Sequence, residues 1–123
     1  MKTNVSRGDV VQVRLDPGEG REIRKTRPAV IVSNHIACRL DSVVQVVPIT
    51  GLRDRALRPY EARIESDSSG LKKPSRAVAN QIRTVAKHRL SKRLGSLSAE
   101  ELEAVDRALA IQLGLPIKPP PKP

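Results

Sequence analysis

The chain has 123 residues, a formal net charge of +10, one cysteine and one aromatic residue, Tyr60. That length suits one domain with one core, and the charge points to a polyanionic partner, nucleic acid or an acidic protein segment. A lone cysteine excludes an internal disulfide and fits a reducing cytoplasm, and a nucleic-acid binder with a single aromatic must hold bases by arginine planes and backbone rather than by ring stacking.

Met1 to Asp9 contains no apolar segment long enough for a signal peptide, and no apolar run is long enough to span a membrane. Val10 to Leu15 then alternates, with Val11, Val13 and Leu15 against Gln12 and Arg14, which predicts a strand with one buried face. Asp16-Pro17-Gly18-Glu19-Gly20 is turn chemistry. The charged stretch after it carries Arg21, Arg24, Lys25 and Arg27 and runs into the β-branched segment Ala29 to Val32. This predicts an exposed basic loop feeding a buried strand. Pro28 biases Arg27 toward extended backbone, so Arg27 is expected at the strand's mouth, where its planar fork of donors can take a phosphate. The plainer alternative is a solvated basic loop before an ordinary strand.

Asn34 to Asp41 reads as a loop with at most one helical turn. Ser42 to Thr50 is the longest predicted strand, nearly continuous in Val43, Val44, Val46, Val47 and Ile49 and therefore central. Pro48 conflicts with mid-sheet pairing, so its missing amide is expected at an edge or a bulge. Thr50 ends the strand, and Gly51 to Pro59 is a basic loop with Arg53, Arg55 and Arg58. Tyr60 to Glu65 predicts a strand with Tyr60, Ala62 and Ile64 on one face, Ser66 to Pro74 a polar turn, and Ser75 to Ile82 a final strand. About five short strands suggest a small barrel or sandwich.

From Leu71 to Ser98 there are eight cations and no acidic residue, a pattern that ordinarily marks a solvated face. Arg83 stands apart because it directly follows an apolar strand and should lie at the sheet's rim. Ser98-Ala99-Glu100-Glu101 is a capping box, and Leu102, Val105, Leu109 and Leu113 recur at helical spacing until Gly114 and Pro116 end the helix. Pro116 to Pro123 reads as a proline-rich extended tail. His35, His88 and Cys38 have no ligand-spaced partners, so no metal site is expected.

The segments Arg7-Gly8-Asp9-Val10, Leu15-Asp16-Pro17, Gly20, Lys25 to Asn34, Val47-Pro48-Ile49-Thr50, Gln81-Ile82-Arg83-Thr84-Val85 and Lys92 to Leu97, in this order, resemble the MazF/PemK family of toxins from bacterial toxin–antitoxin modules. The match runs from about Arg7 to Leu115, so residues 1–115 are expected to form the toxin domain and residues 116–123 a tail outside it. The resemblance implies a mainly β fold with a C-terminal α-helix, a small SH3-like barrel of the CcdB/MazF type, usually a homodimer. It implies a cytoplasmic endoribonuclease that needs no metal or other cofactor. Such an enzyme cuts single-stranded RNA at a short sequence through the substrate's own 2′-hydroxyl. A cognate antitoxin with an acidic, disordered C-terminal segment would neutralise it.

By family position, Arg27 and Thr50 would carry the chemistry. Glu22, Arg24, Lys25, Arg53, Arg55, Gln81 and Arg83 would contact RNA. Gln12 stands where many members have an aromatic, and Asn80 where an acidic residue is common; both departures bear on base stacking and target sequence, not on the fold. Two other classes remain open at this point. One is a CcdB-like poison of a protein target such as DNA gyrase, worked by the C-terminal helix. The other is a weakly catalytic module that binds antitoxin or RNA.

Overall fold

The computed structural model describes residues 4–117. Its elements are β1 Asp9–Arg14, β2 Thr26–Ile31, α1 His35–Leu40, β3 Val43–Gly51, β4 Glu61–Ile64, β5 Ser75–Val78, β6 Arg83–Ala86, β7 Leu90–Ser96 and α2 Ala99–Leu113, with short 3₁₀ turns at Asp67–Ser69, Ala79–Gln81 and Lys87–Arg89. The strands form one antiparallel seven-stranded sheet in the order β4-β5-β3-β2-β1-β7, with β6 also paired to β3.

Side-chain alternation in the three central strands builds a cluster on each face of the sheet. Val10 pairs with Val30 and Val30 with Val47, and these three share a cluster with Ile49, Ala62, Ile64, Ala77 and Val105 of α2. The intervening positions Val11, Ala29, Ile31 and Val46 face the other way and join Val13, Leu15, Val44, Val85 and Leu90. Burial of β1 is therefore two-sided rather than confined to Val11, Val13 and Leu15, because the sheet is covered on both faces.

Pro48 falls between the last β6 pairing, Val46 with Arg83, and the first β5 pairing, Ile49 with Ala77. The ladder on that flank is interrupted there, so no strand demands the missing amide. The ends of the sheet are not joined by a ladder. They meet by close backbone approach: a Cβ on Gly70 would lie 2.0 Å from Leu94 O, and one on Gly95 would lie 2.2 Å from Ser68 O. Glycine at both positions lets the turn after β4 lie directly on β7 and gives the sheet its barrel-like form.

Two sequence expectations need correction. The segment Ser75–Ile82 is not one final strand: β5 stops at Val78, a 3₁₀ turn follows, and two further strands, β6 and β7, lie inside the basic run. Nor is that run simply a solvated face, since Arg76 and Lys87 are each only 7% exposed. Lys87 donates its ammonium to Cys38 O at 2.6 Å, satisfying a carbonyl in the last turn of α1, where a cation is favoured. Within 34–41 lies the short helix α1, His35–Leu40, capped by the Asn34 side chain accepting from Ala37 N.

The capping box is formed as expected: Ser98 Oγ accepts from Glu101 N and Glu101 Oε1 from Ser98 N. Glu101 also accepts from Glu65 N, Ser66 N and Ser66 Oγ, so the same carboxylate fastens α2 to the end of β4. The helical stripe is buried at Val105, but Leu113 is exposed. Residues 118–123 of the expected tail lie outside the described residues. No helix among the described residues is long and apolar enough to cross a membrane.

Candidate active site

The loop between β1 and β2 is held at many points, and that determines where Arg27 lies. At its base, Leu15 N donates to Lys25 O (2.9 Å) and Lys25 N to Asp16 Oδ1 (3.0 Å). Between these ties Lys25 takes a left-handed conformation, φ 67°, unusual for a residue with a side chain and costing about 1–3 kcal/mol that the surrounding bonds must offset. Arg83 Nη1 donates to Leu15 O (2.8 Å), and Arg89 Nη1 to Arg14 O (3.1 Å) and to Asp16 O. Midway along the loop, Ile23 packs on the Val11–Ile31 cluster. There the Gln81 amide accepts from Ile23 N (3.3 Å) and donates to Arg21 O (3.2 Å).

Arg27 enters β2 opposite Val13. β2 pairs with β3 through Ala29 with Pro48, Val30 with Val47 and Ile31 with Val46. Carried two residues further, the same register sets Arg27 opposite Thr50, and Thr50 is itself paired with Arg76 of β5. The β2–β3 ladder itself stops at Ala29 and Pro48, and alternation beyond it puts Arg27 and Thr50 on one face, the face of Ala29 and Ile31. Arg21, Glu22, Ile23, Arg24, Lys25, Arg27 and Thr50 line one cavity of about 290 Å³ at this end of the sheet. Arg27 Nε donates to Arg24 O (3.3 Å), which leaves both terminal nitrogens without a protein partner among the described residues. None of Arg21, Arg24, Lys25 and Arg27 is in an ion pair among those residues. The cavity is therefore a concentrated positive field with one carboxylate, Glu22, on its wall. A phosphodiester with two negatively charged oxygens in its transition state would find fixed donors there.

The other expected RNA contacts are distributed unevenly. Glu22, Arg24 and Lys25 are at the cavity. Arg53 is exposed on the loop after Thr50. Arg55 is engaged: its Nη1 and Nη2 meet Glu61 at 2.8 and 3.0 Å. Gln81 and Arg83 lie beside the cavity loop: the Gln81 amide spends both its groups on the loop backbone, and Arg83 spends Nη1 on Leu15 O. Ile23 and Asp16, which fix the loop, were given no role from the sequence, and Arg21, which lines the cavity, was placed in the basic stretch but not among the RNA contacts. Only Arg21 had a usable signal, its place in the same charged stretch. Among the described residues no group of three or more His, Cys, Asp or Glu side chains could hold a metal ion.

Residues 6–113 match the family described as PemK-like, MazF-like toxin of type II toxin-antitoxin system. The chain belongs to the PemK/MazF toxin family. Among curated PemK/MazF relatives, it is 40% identical over 114 residues to the endoribonuclease MazF9 of Mycobacterium tuberculosis strain H37Rv, covering 89% of this chain and 96% of that one. A mycobacterial endoribonuclease solved in complex with its cognate antitoxin has a TM-score of 0.74 at 28% identity, over 91% of this chain and 97% of that one. MazF from Deinococcus radiodurans has a TM-score of 0.76 at 22% identity, covering 90% and 97%, which supports the shared fold. The mainly β, barrel-like architecture with a C-terminal helix is that of the MazF toxins.

Proposed function

We propose that this chain is the endoribonuclease toxin of a cytoplasmic toxin–antitoxin module and cuts single-stranded RNA by 2′-hydroxyl attack. The observation that carries the reading is that Arg27 and Thr50 line one cavity together with Arg21, Arg24 and Lys25, all four cations being in no ion pair among the described residues. In the proposed reaction the scissile phosphate lies between these two side chains. The terminal nitrogens of Arg27 bind its non-bridging oxygens as a fork, and the Thr50 hydroxyl donates to one of them. Glu22, the carboxylate on the cavity wall, accepts the 2′-hydroxyl proton. The 2′-oxygen bonds to phosphorus, the bond to the 5′-oxygen breaks, and that oxygen takes a proton from water at the open mouth. The products are a 2′,3′-cyclic phosphate and a 5′-hydroxyl. Arg27 acts by charge and orientation, its planar fork of donors holding the phosphoryl oxygens in line for attack.

Support for an antitoxin partner comes from the mycobacterial relative solved with its own, and from the four unpaired cations of the cavity loop, which suit an acidic segment that folds on binding. A homodimer would cover apolar side chains that the single chain leaves exposed, Ile36 and Leu40 of α1 among them. The test is incubation of the purified protein with a long RNA in EDTA, followed by mapping of the ends. Discrete cuts with cyclic phosphate and 5′-hydroxyl termini, absent with Arg27→Ala and with a 2′-deoxy sugar at the cut site, are expected. Cleavage of the deoxy substrate would overturn 2′-hydroxyl attack, near-normal cleavage by Arg27→Ala would overturn the assigned site, and no cleavage by the parent would favour a protein target.

A further inference from the structure

The loop that leaves Thr50 is organised around a carboxylate that the proposed reaction does not use. Glu61 opens β4, and its side chain is 1% exposed. Its two oxygens receive four donors: Arg55 Nη1 at 2.8 Å, Arg55 Nη2 at 3.0 Å, the Arg58 amide at 2.8 Å, and Arg76 Nη1. Arg76 in turn donates Nε to Gly51 O at 3.1 Å, the carbonyl immediately after Thr50, and is the register partner of Thr50 itself. One buried acid therefore fastens the loop at its start through Arg76, at its middle through Arg55 and near its end through the Arg58 amide.

Closing a loop does not by itself call for buried ions. Apolar residues of similar volume would usually be as stable or more so, and a buried ion network is best understood as fixing one geometry. What it fixes here lies beside the cavity: a loop whose remaining cations, Arg53 and Arg58, are exposed and in no ion pair among the described residues. We propose that Glu61 is a positioning residue for RNA, holding residues 51–60 as a pre-ordered wall beside Thr50 from which Arg53 and Arg58 meet the phosphates flanking the cut. Resting on the ribonuclease reading, this assigns the loop to substrate binding and not to the chemical step.

The sign of one substitution separates this role from simple electrostatics. Glu61→Gln raises the net positive charge by one, which by phosphate attraction alone should tighten RNA binding. Positioning requires the reverse. If the loop is competent only about a tenth of the time without its anchor, KM rises about tenfold while kcat per active site stays within about threefold. Arg55→Met is the companion variant, because it releases the middle of the loop while leaving the buried Glu61–Arg76 pair intact. It should raise KM in the same way with an unchanged salt slope. Limited trypsin digestion of both proteins without RNA should show faster cutting after Arg53 than in the parent, and in Arg55→Met, which keeps the buried Glu61–Arg76 pair, the rest of the chain should be cut at the parental rate. A purely structural role would lower the active fraction and quicken digestion throughout, leaving KM of the active fraction unmoved, and that result would overturn the proposal. So would a KM that is unchanged or lower in both variants, or a salt slope smaller by about one in Arg55→Met, which would make Arg55 itself a phosphate contact. Binding of an oligonucleotide with a 2′-deoxy sugar at the cut site is measured in parallel. A parent protein that cuts no RNA would overturn the ribonuclease reading, while the binding ratio would still decide the role of Glu61.

Discussion

Glu61 also makes the stability of this protein depend on acid in a way that can be worked through. The Arg55 fork, above all, holds the Glu61 carboxyl well below the usual carboxylate range; burial opposes this, and the Arg58 amide and Arg76 reinforce it, with a resulting pKa of about 2 against an ordinary 4.5. At about 1.4 kcal/mol per pH unit, that difference contributes about 3 kcal/mol to folding at neutral pH. The contribution is fully present above pH 4.5 and is lost as the pH falls toward 2, because the unfolded chain takes up its proton first. Replacing Glu61 by Gln removes the ion and leaves Arg76 buried without its partner, for which breaking a buried pair costs about 3–5 kcal/mol. The two routes agree in size. Urea unfolding of the parent and Glu61→Gln at pH 7, 5, 4, 3 and 2.5 is the assay. A gap of about 3 kcal/mol at pH 7, constant to about pH 5 and narrowing below it, is expected. A gap under about 1 kcal/mol at pH 7, or one that does not narrow between pH 4.5 and 2.5, would show that Glu61 is not held ionised by its arginines.

Four other outcomes are expected. Arg27→Ala should slow RNA cleavage by about 10²- to 10³-fold in single-turnover assays, and Arg27→Lys should remain slow because a point charge cannot reproduce the fork; Thr50→Ala should lose less. Lys72→Ala, in an exposed turn, should leave the chemical step unchanged and reduce only binding and its salt dependence, read by titration across salt. Gly95→Ala should lower the urea midpoint by the equivalent of about 1–3 kcal/mol, since its Cβ would lie 2.2 Å from Ser68 O and the seam between the sheet's ends must open. Ser98→Ala should cost about 1 kcal/mol in the same assay by removing the cap on Glu101 N.

What could be read from the sequence was local or periodic. Ser98 and Glu101 lie three residues apart and satisfy each other, so the cap of α2 needed no tertiary information. The alternation in β1, the apolar run of β3 and the Arg-Pro boundary of β2 likewise follow from the backbone's own geometry. They placed Arg27 and Thr50 at strand ends, but not at one place: only the antiparallel pairing of β2 with β3 brought them to the same cavity. The strand β7 was hidden because it ends the sheet path: its side chains Ser91, Lys92 and Arg93 are exposed and free to be polar, and Leu90 and Leu94 are too sparse to show a period. The burial of Arg76, Lys87 and Glu61 was invisible for a different reason. A charge is stable inside a protein only when its partners are brought to it. Those partners are Glu61 for Arg76, Cys38 O for Lys87, and Arg55 with Arg76 for Glu61. Composition counts a cation identically whether it faces water or a carbonyl 49 residues away; the fold alone determines which.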